Sequence, residues 1–431
     1  MDIPRFVMNI LKRLHASGYQ AYIVGGAVRD TCLRRTVTDW DVATSAPPAK
    51  IRSLFRDIRN FSLGHDTVTL VNGAHHYEVT TYRGSKNFGH TIEEDLGHRD
   101  FTINGMAYDT DKNKILDPNE GRKDILRRLV RAVGDPKKRF REDPIRLLRA
   151  VRLATELGFR IEQKTLETMS MMSDQLVCVA HERTREELMK ILMSQRPSHG
   201  FNLMVRTGLL RQLLPELLEG YLKRQNAYHR YTIYKHTMET VDRVKPDPIL
   251  RLIALLHDIA KPRTREKIKG EYRFLGHEEA SAGLAKEIMT RLKFSNEMIG
   301  KVTNLIAHHM IGYDSAWSDG AVRRLIRRVG PENMDHLLSL RRADLLAHGL
   351  KDQKIKLLPE LEKRIEGLSE RELVVKTRDL AIGGHEVMGI LGLRPGPEVG
   401  SVLKALMEKV TDRPELNTHK RLVALLKETK D

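Results

Sequence analysis

Two hydrophobic patterns divide the chain near residue 123. Before it, short apolar runs are separated by turn residues, which is typical of β-strands. We predict strands over 21–25, 38–44, 65–71 and 76–82, the last two forming a hairpin at Asn72-Gly73, and a helix over 48–60. After residue 123, apolar residues recur at spacings of three and four, which predicts helices. The pattern therefore indicates an α+β protein with a small mixed sheet at its start.

Length and charge narrow the function classes. A chain of 431 residues predicts two to four domains. Its 74 Lys and Arg against 57 Asp and Glu give a net charge of +17, which favours a polyanionic partner such as RNA, DNA or an anionic membrane surface. Basic residues are concentrated over 122–160, where 13 Lys and Arg face 5 acidic residues. The alternative is that the charge serves solubility alone.

Several classes are excluded by what the sequence lacks. Its two cysteines, Cys32 and Cys178, are too far apart for a disulfide framework or a Cys-rich zinc site. No stretch approaches the roughly 20 apolar residues of a membrane span, and the first 20 residues lack the apolar block of a signal peptide. We therefore expect a cytoplasmic protein with no membrane partner.

A glycine pair and two aspartates form the first candidate site. Gly25-Gly26 joins a predicted strand to a helix, where free N–H groups favour phosphate, and Arg29 follows within one turn. Asp39 and Asp41 would share one face of a strand, an arrangement that suits Mg²⁺ and phosphoryl chemistry. Glu78, on a later strand, could add a third carboxylate. The alternatives are tight packing for the glycines and solvated surface acids for the carboxylates.

These residues resemble a known family. Residues 25–30 followed by Asp39-x-Asp41 look like the motif of the class II tRNA nucleotidyltransferases and bacterial poly(A) polymerases, within the DNA polymerase beta superfamily. Further segments resemble the family's ribose-contacting, base-templating, last helical and tail motifs, in the family's order: 98–107, 142–152, 181–188 and 383–400.

The resemblance implies a fold, a reaction and its residues. It implies a polymerase-beta-like head (1–122), a helical neck with the nucleotide-selecting helix and an RNA-binding surface (123–220), an HD-type domain (221–350) and a helical tail (351–431). Catalysis would use Asp39, Asp41 and Glu78, with Mg²⁺ held by Asp39 and Asp41. The implied partners are the tRNA acceptor arm, CTP and possibly ATP. The nucleotide-binding residues would be Gly25, Gly26, Arg29, Arg99, Asp100, Asn104, Asp143, Arg146, Arg149 and Arg152.

The base-selecting helix is also intelligible from its residues. Arg146, Arg149 and Arg152 recur every three positions, which predicts one basic stripe on a helix that starts near Glu142. With Asp143 they would offer an acceptor and donors to the edge of a base. The alternatives are that Asp143 caps the helix and that the helix faces RNA without selecting a base.

Two departures from the family pattern carry information. His98 stands where the ribose motif usually begins with arginine, and the segment 84–93 is shorter than the flexible loop that full CCA-adding members carry. In the family that loop is implicated in switching from CTP to ATP. We therefore expect addition of two cytidines only, beside a separate A-adding enzyme. The alternatives are a complete CCA-adding enzyme and, less favoured, a poly(A) polymerase.

A histidine-rich region forms the second candidate site. An adjacent His-Asp and a downstream His-His pair suit a transition metal such as Mn, Fe, Ni, Co or Zn. The region resembles the HD phosphohydrolase domain, which implies one metal on His236, His257, Asp258 and Asp344 and a second site completed by His277, His308 and His309. We expect an active phosphohydrolase; the alternative is structural metal binding.

Two other classes stay open. The chain could be primarily a metal-dependent phosphohydrolase whose first domain only binds RNA, or a non-catalytic RNA-binding protein.

Overall fold

The computed structural model of the protein describes residues 1–62, 66–84, 89–226, 229–349, 353–368 and 377–428. They form two compact units, Met1–Pro215 and Glu216–Asp431. The first unit holds the sheet, and the second is largely helical. This is the predicted α+β class. None of the described helices is both long and apolar enough to cross a membrane.

A seven-stranded mixed sheet organises the first unit. Its order is β3-β4-β5-β2-β1-β6-β7, and only β2 and β5 pair in parallel. The strands are β1 (Ala21–Val24), β2 (Asp41–Thr44), β3 (Asn60–Ser62), β4 (Thr67–Asn72), β5 (His75–Thr81), β6 (Ala107–Asp109) and β7 (Lys114–Leu116). The parallel pair is what sets two acidic side chains next to each other, as described below.

The predicted strands are found, with two differences. The hairpin of β4 and β5 turns one residue later than predicted, at Gly73-Ala74 between the paired Asn72 and His75, and Gly73 takes the left-handed φ of 62°. The strand predicted over 38–44 begins only at Asp41, because β1 ends at Val24, directly opposite Asp41. Asp39 therefore precedes the strand, and the prediction that it shares a strand face with Asp41 is wrong. Residue 65, the start of another predicted strand, lies outside the described residues.

Helices pack around the sheet and then continue the first unit. They are α1 (Arg5–Ala16), α2 (Gly26–Cys32), α3 (Pro48–Leu54), α4 (Ile92–Gly97), α5 (Gly121–Leu126), α6 (Pro136–Glu142), α7 (Arg146–Leu157), α8 (Gln163–Met171), α9 (His181–Leu192), α10 (Pro197–Thr207) and α11 (Leu209–Leu213). A small parallel pair, β8 (Leu129–Val130) and β9 (Arg160–Ile161), lies among them. The helix predicted over 48–60 ends at Leu54, since the Asn60 amide binds the carbonyls of Phe55 and Ile58 and turns the chain into β3.

The second unit is built from helices and one hairpin. After α12 (Pro215–Leu218) at the boundary, its helices are α13 (Ile233–Arg243), α14 (Pro248–Leu256), α15 (His277–Arg291), α16 (Asn296–Ala307), α17 (Asp319–Val329), α18 (Met334–Ala347), α19 (Leu358–Gly367), α20 (Gly384–Leu391), α21 (Pro397–Asp412) and α22 (His419–Glu428). The hairpin is β10 (Arg265–Ile268) with β11 (Glu271–Phe274). Helices α20 to α22 enclose an apolar cluster of their own.

Candidate active sites

A polar cavity of about 310 Å³ lies in the first unit beside the start of β2. It collects residues from the sheet, from the segment after α4 and from helices α7 and α9. Its lining consists of Gly25, Gly26, Asp41, Glu78, Thr80, Arg83, Arg99, Asp100, Asn104, Asp143, Arg146, Arg149 and Arg183. Acids and arginines face each other there, as a site for a metal-bound triphosphate requires.

Two carboxylates meet on the parallel strands of this cavity. Asp41 opens β2 and is paired in register with Glu78 on β5. Burial, followed by the charge of Glu78, raises the pKa of Asp41 to about 6. The charge of the exposed Asp39 acts in the same direction, although Asp39 is not among the lining residues. A buried carboxylate beside a second carboxylate fits a divalent cation, which would relieve the repulsion.

The glycine turn brings backbone close to these acids. Gly25 has a φ of 72°, and a Cβ there would lie 3.3 Å from the Asp41 Oδ2 atom. Gly26 then begins α2. Glycine is needed at the first position both for its backbone conformation and for the close approach.

Arg29 does not line the cavity as predicted. Its guanidinium binds the Asp30 carboxylate at 2.9 Å and the Asn104 Oδ1 atom at 2.7 Å. All three guanidinium nitrogens are thereby engaged. Because Asp30 and Asn104 bind its guanidinium, Arg29 links the glycine turn to Asn104 and has no free guanidinium nitrogen for a phosphate in this structure.

Charged residues of the ribose-motif segment pair with residues outside it. Arg99 binds Asp95 of α4 at 2.8 Å, and Asp100 binds Arg149 of α7 at 2.7 Å. Burial alone would raise the pKa of Asp100, but the charge of Arg149, the hydrogen bonds from Arg149 and Asn104 and the charge of Arg146 together hold that pKa well below its usual range. The imidazole of His98 binds the Glu94 carbonyl at 2.9 Å, and His98 is not among the residues that line the cavity.

Asp143 pairs differently from the prediction. Helix α7 begins at Arg146 and not near Glu142, and Asp143 follows the end of α6. Its carboxylate accepts two hydrogen bonds from Arg183 of α9, at 3.0 and 2.8 Å. A parallel fork of this kind presents an acceptor and donors side by side. Asp143 therefore does not N-cap α7, whose N-cap position is Ile145.

The three arginines of the predicted stripe bind different partners. Arg146 binds the Glu142 carboxylate at 3.0 Å and the His98 carbonyl at 3.1 Å, while Arg149 holds Asp100. Arg152 lies outside the cavity, where it binds Glu187 at 2.6 Å and Glu156 at 3.0 Å. The prediction that Arg152 shares the site with Arg146 is therefore wrong, because two acids on its own side of the helix engage it.

Three lining residues were not predicted. Arg183 lies within the 181–188 motif, so a signal for it existed. Thr80 lies two residues after Glu78 on β5, so it shares a strand face with Glu78, and this spacing could have indicated it. Arg83 follows the end of β5.

A buried cluster of histidines and aspartates lies in the second unit. Two groups could each hold a metal ion: His236, His257 and Asp344, and Asp258, His277 and His309. Asp258 lies between them. Its Oδ2 atom is 3.4 and 3.2 Å from the Nε2 atoms of His236 and His257, and its Oδ1 atom is 3.4 Å from that of His277.

The histidines are oriented for metal binding. The Nδ1 atoms of His236, His257, His277 and His309 each lie 2.7 to 3.2 Å from a backbone carbonyl. Such a bond makes Nδ1 the protonated nitrogen and turns the Nε2 lone pair inward. The Nε2 atoms of His236, His257 and His277 are buried and have no hydrogen-bond partner, as have both carboxylate oxygens of Asp258. The donor set therefore fits divalent metals.

The charges of the cluster also favour metal binding. Burial would raise the pKa values of Asp258 and Asp344, but neighbouring histidines, and Lys261 beside Asp258, hold both well below their usual range. The Lys261 Nζ atom lies 2.6 Å from Asp258 Oδ2. Ionised buried carboxylates demand cations, and metal ions would supply them.

The structure keeps Asp258 beside His236 and His257, its predicted partners, and also groups it with His277 and His309. One residue of the predicted metal site lies elsewhere. His308 belongs to neither group; it is half-buried, and its Nδ1 atom lies 2.9 Å from the Asn304 carbonyl. Adjacent helix-end residues point in different directions, so only one member of a His-His pair reaches the cluster.

Three successive parts of the chain match known protein families. Residues 21–131 match the Poly A polymerase head domain family. Residues 158–220 match the family described as "Probable RNA and SrmB- binding site of polymerase A", and residues 227–352 match the HD domain family.

Relatives that align over nearly the whole chain include enzymes of three specificities. The chain is 32% identical to the A-adding tRNA nucleotidyltransferase of Deinococcus radiodurans, over 90% of this chain and 91% of that one. It is 33% identical to the CC-adding tRNA nucleotidyltransferase of Thermus thermophilus, over 90% and 89%. Among solved structures it resembles the Bacillus stearothermophilus CCA-adding enzyme in complex with CTP, with 27% identity, a TM-score of 0.75 and coverage of 99% and 98%.

Proposed function

Because this chain belongs to the tRNA nucleotidyltransferase family, we propose that it adds two cytidines from CTP to the 3′ end of tRNA in the cytoplasm, working beside a separate A-adding enzyme. The observation that supports the reaction is the cavity in which Asp41 and Glu78 face Arg149 and Arg183. It offers cation-binding carboxylates and phosphate-binding guanidiniums in one place.

Different residues of the cavity would bind the metal ion and the triphosphate. Asp39 and Asp41 would hold Mg²⁺, which when bound activates the RNA 3′-hydroxyl and neutralises the α-phosphate. Gly25 and Gly26 let the triphosphate approach the backbone, and Arg149 offers it positive charge. Most of the catalysis then comes from positioning and charge stabilisation.

The limit at two cytidines rests on the length of one connection. Strand β5 ends at Thr81 and α4 begins at Ile92, so ten residues join them. Residues 85–88, the centre of this connection, lie outside the described residues. The family's full CCA-adding members carry a longer loop there. Because relatives at similar identity include A-adding and CC-adding enzymes, sequence identity does not choose among the specificities.

A staged extension assay tests this proposal. Purified protein with Mg²⁺ receives tRNA transcripts that end before CCA, after C and after CC, with CTP and ATP separately and together. We expect two C additions to the first transcript, one to the second and none to the third. Addition of A to the third transcript would contradict the proposal: with C addition it would indicate a CCA-adding enzyme, and without it an A-adding enzyme.

We propose that the Asp143–Arg183 pair selects the base. A carboxylate accepts a hydrogen bond from the amino group of cytosine or adenine and repels the carbonyl of uracil. Asp143→Asn should therefore reduce the discrimination of CTP against UTP in kcat/KM by about 10- to 100-fold, since one such contact is worth about 1–3 kcal/mol. The matched control is Glu182→Gln, an exposed acid next to Arg183 on α9. Unchanged discrimination in Asp143→Asn would contradict this role.

A second proposed activity rests on the histidine cluster. We propose that it hydrolyses phosphate esters such as 2′,3′-cyclic phosphates with a divalent transition metal. The observation that favours turnover is that two donor groups lie on either side of one carboxylate, Asp258. Paired metal sites of this kind are common in phosphoryl hydrolysis, where the metals activate water.

A further inference from the structure

Helix α18 ends beside the first donor group of the histidine cluster, which consists of His236, His257 and Asp344. His348 follows Asp344 by four residues, and its backbone is still helical, with a φ of −60° and a ψ of −25°. Residues four apart lie on the same face of a helix. The imidazole of His348 is therefore stacked next to the carboxylate of Asp344, and both residues are buried.

Three imidazoles approach one oxygen atom of Asp344. The Nε2 atoms of His236, His257 and His348 lie 3.0, 3.8 and 3.7 Å from its Oδ1 atom. Metal–ligand bonds of about 2.1 Å place two ligand atoms of one octahedral ion about 3 to 4.2 Å apart. All three distances fall in this range. The separation of His348 from Asp344 is also longer than a hydrogen bond, so the two side chains are spaced as two ligands of one ion are.

The ring of His348 is placed with respect to His236 as the ring of His257 is. The ring centroids of His236 and His257 are 5.6 Å apart, and those of His236 and His348 are also 5.6 Å apart. His257 belongs to the first donor group together with His236. His348 therefore has the spacing from His236 that a member of this group has.

Contacts beyond the helix fix the position of His348. Its carbonyl accepts a hydrogen bond from the Arg230 N–H at 2.9 Å. Gly349 then turns the chain with a φ of 73°, and a Cβ atom there would lie 2.7 Å from a ring carbon of Tyr231. The imidazole of His348 packs against that of His229, with 4.3 Å between the ring centroids. The end of α18 is thus held at the cluster by the segment that precedes α13.

The second oxygen atom of Asp344 has a different partner. The Arg341 guanidinium donates to the Asp344 Oδ2 atom at 2.7 Å, one turn earlier on the same helix. This bond fixes the carboxylate so that Oδ1 faces the three imidazoles. The carboxylate is therefore oriented to bind a metal ion through Oδ1.

We propose that His348 is a further ligand of the first metal ion, which three imidazoles and the carboxylates of Asp258 and Asp344 would then hold. Five protein ligands leave one position of an octahedral site for water or a phosphate oxygen. Because imidazole suits Zn²⁺ and carboxylate suits Mn²⁺, the third imidazole favours Zn²⁺ over Mn²⁺ at this position. The inference rests on metal binding at the proposed hydrolytic site and does not require turnover there.

Cadmium NMR of the full chain tests this assignment. Metal-free protein labelled with ¹⁵N-histidine is titrated with ¹¹³Cd²⁺, and spin coupling to ¹¹³Cd splits only the resonances of nitrogen atoms that bind the metal directly. We expect the Nε2 resonance of His348 to be split, as those of His236 and His257 are. The His348 resonance is the one that is missing from His348→Ala, or from His348→Gln if the alanine variant misfolds. An unsplit His348 resonance at saturating cadmium would overturn the proposal.

Metal affinity gives a second readout. In competition with a chelator, His348→Ala should bind Zn²⁺ at least about tenfold more weakly than wild type, because loss of even an outer-shell partner costs about 10- to 100-fold. Its preference for Zn²⁺ over Mn²⁺ should also fall, and added imidazole, which fits the space of the missing ring, should restore part of the Zn²⁺ affinity. Folded His348→Ala with wild-type affinity and preference would contradict the assignment.

The matched control is His336→Ala, which removes another histidine of α18. The His336 Nε2 atom lies 3.1 Å from the Asp247 carboxylate, and neither residue belongs to a donor group. Zn²⁺ affinity and the cadmium splittings of this variant should match those of wild type.

Failure of the proposed hydrolysis looks different. Wild-type protein that binds cadmium through His348 and yet hydrolyses no phosphate ester would refute turnover and leave the ligand assignment intact. Hydrolysis by a protein whose His348 resonance stays unsplit would refute the ligand assignment alone.

Discussion

Asp41→Asn should reduce nucleotide addition to tRNA by at least about 10³-fold while leaving the hydrolytic activity of the histidine cluster unchanged. Asp41 opens β2 at the cavity, in register with Glu78, and its pKa is raised to about 6 by burial and by the charge of Glu78. Bound metal supplies several kcal/mol of transition-state stabilisation, and each 1.36 kcal/mol is a factor of ten in rate. Single-turnover incorporation of labelled CTP measures the effect.

Two comparisons make this result specific. Asp111→Asn removes an exposed carboxylate of the same unit and should leave incorporation within twofold of wild type. Asp39→Asn should also be strongly impaired if both aspartates hold the cation, although Asp39 precedes the strand. Asp41→Asn protein that is folded and retains more than a tenth of wild-type incorporation would show that the cation is held elsewhere.

Local signals accounted for much of the fold. The Asn72-Gly73 dipeptide predicted a hairpin because these residues tolerate the positive φ that tight hairpin turns require, and Gly73 does take a φ of 62°. Gly25 predicted a strand-to-helix turn, where it takes a φ of 72°. Helical periodicity located the helices of the second half. End points were less accurate: the strand predicted from residue 38 begins at Asp41, because the end of a neighbouring strand determines it.

Partner choice within the candidate sites could not be predicted in the same way. Arg29 is captured by Asp30 and Asn104, and Asp143 pairs with Arg183, 40 residues away. An arginine or a carboxylate has many candidate partners in a basic chain, and only the three-dimensional packing decides among them. The resemblance indicated which segments meet in the cavity, but it did not indicate which charges neutralise each other there.

Asp258→Asn should abolish both metal binding and phosphodiester hydrolysis by the second unit. Its carboxylate lies between the two donor groups, so one substitution affects both. We expect metal content, measured by mass spectrometry, to fall to background and hydrolysis of 2′,3′-cyclic AMP to fall by at least about 10³-fold. Addition of cytidine should stay within twofold of wild type. Asp335→Asn, an exposed acid on the helix that carries Asp344, is the matched control.

Thermal unfolding separates catalytic from structural metal binding. A metal at 100 times its Kd stabilises the folded state by about 2.7 kcal/mol, so added Mn²⁺ should raise the Tm of wild type and of Asp335→Asn but not of Asp258→Asn. If wild type gains this stability and yet hydrolyses neither 2′,3′-cyclic AMP nor bis-p-nitrophenyl phosphate, the cluster is a structural site and the phosphohydrolase proposal is wrong. Metal binding itself is the expected outcome in either case, because the buried Nε2 atoms of His236 and His257 make no hydrogen bond in the described structure and face the carboxylates of Asp344 and Asp258.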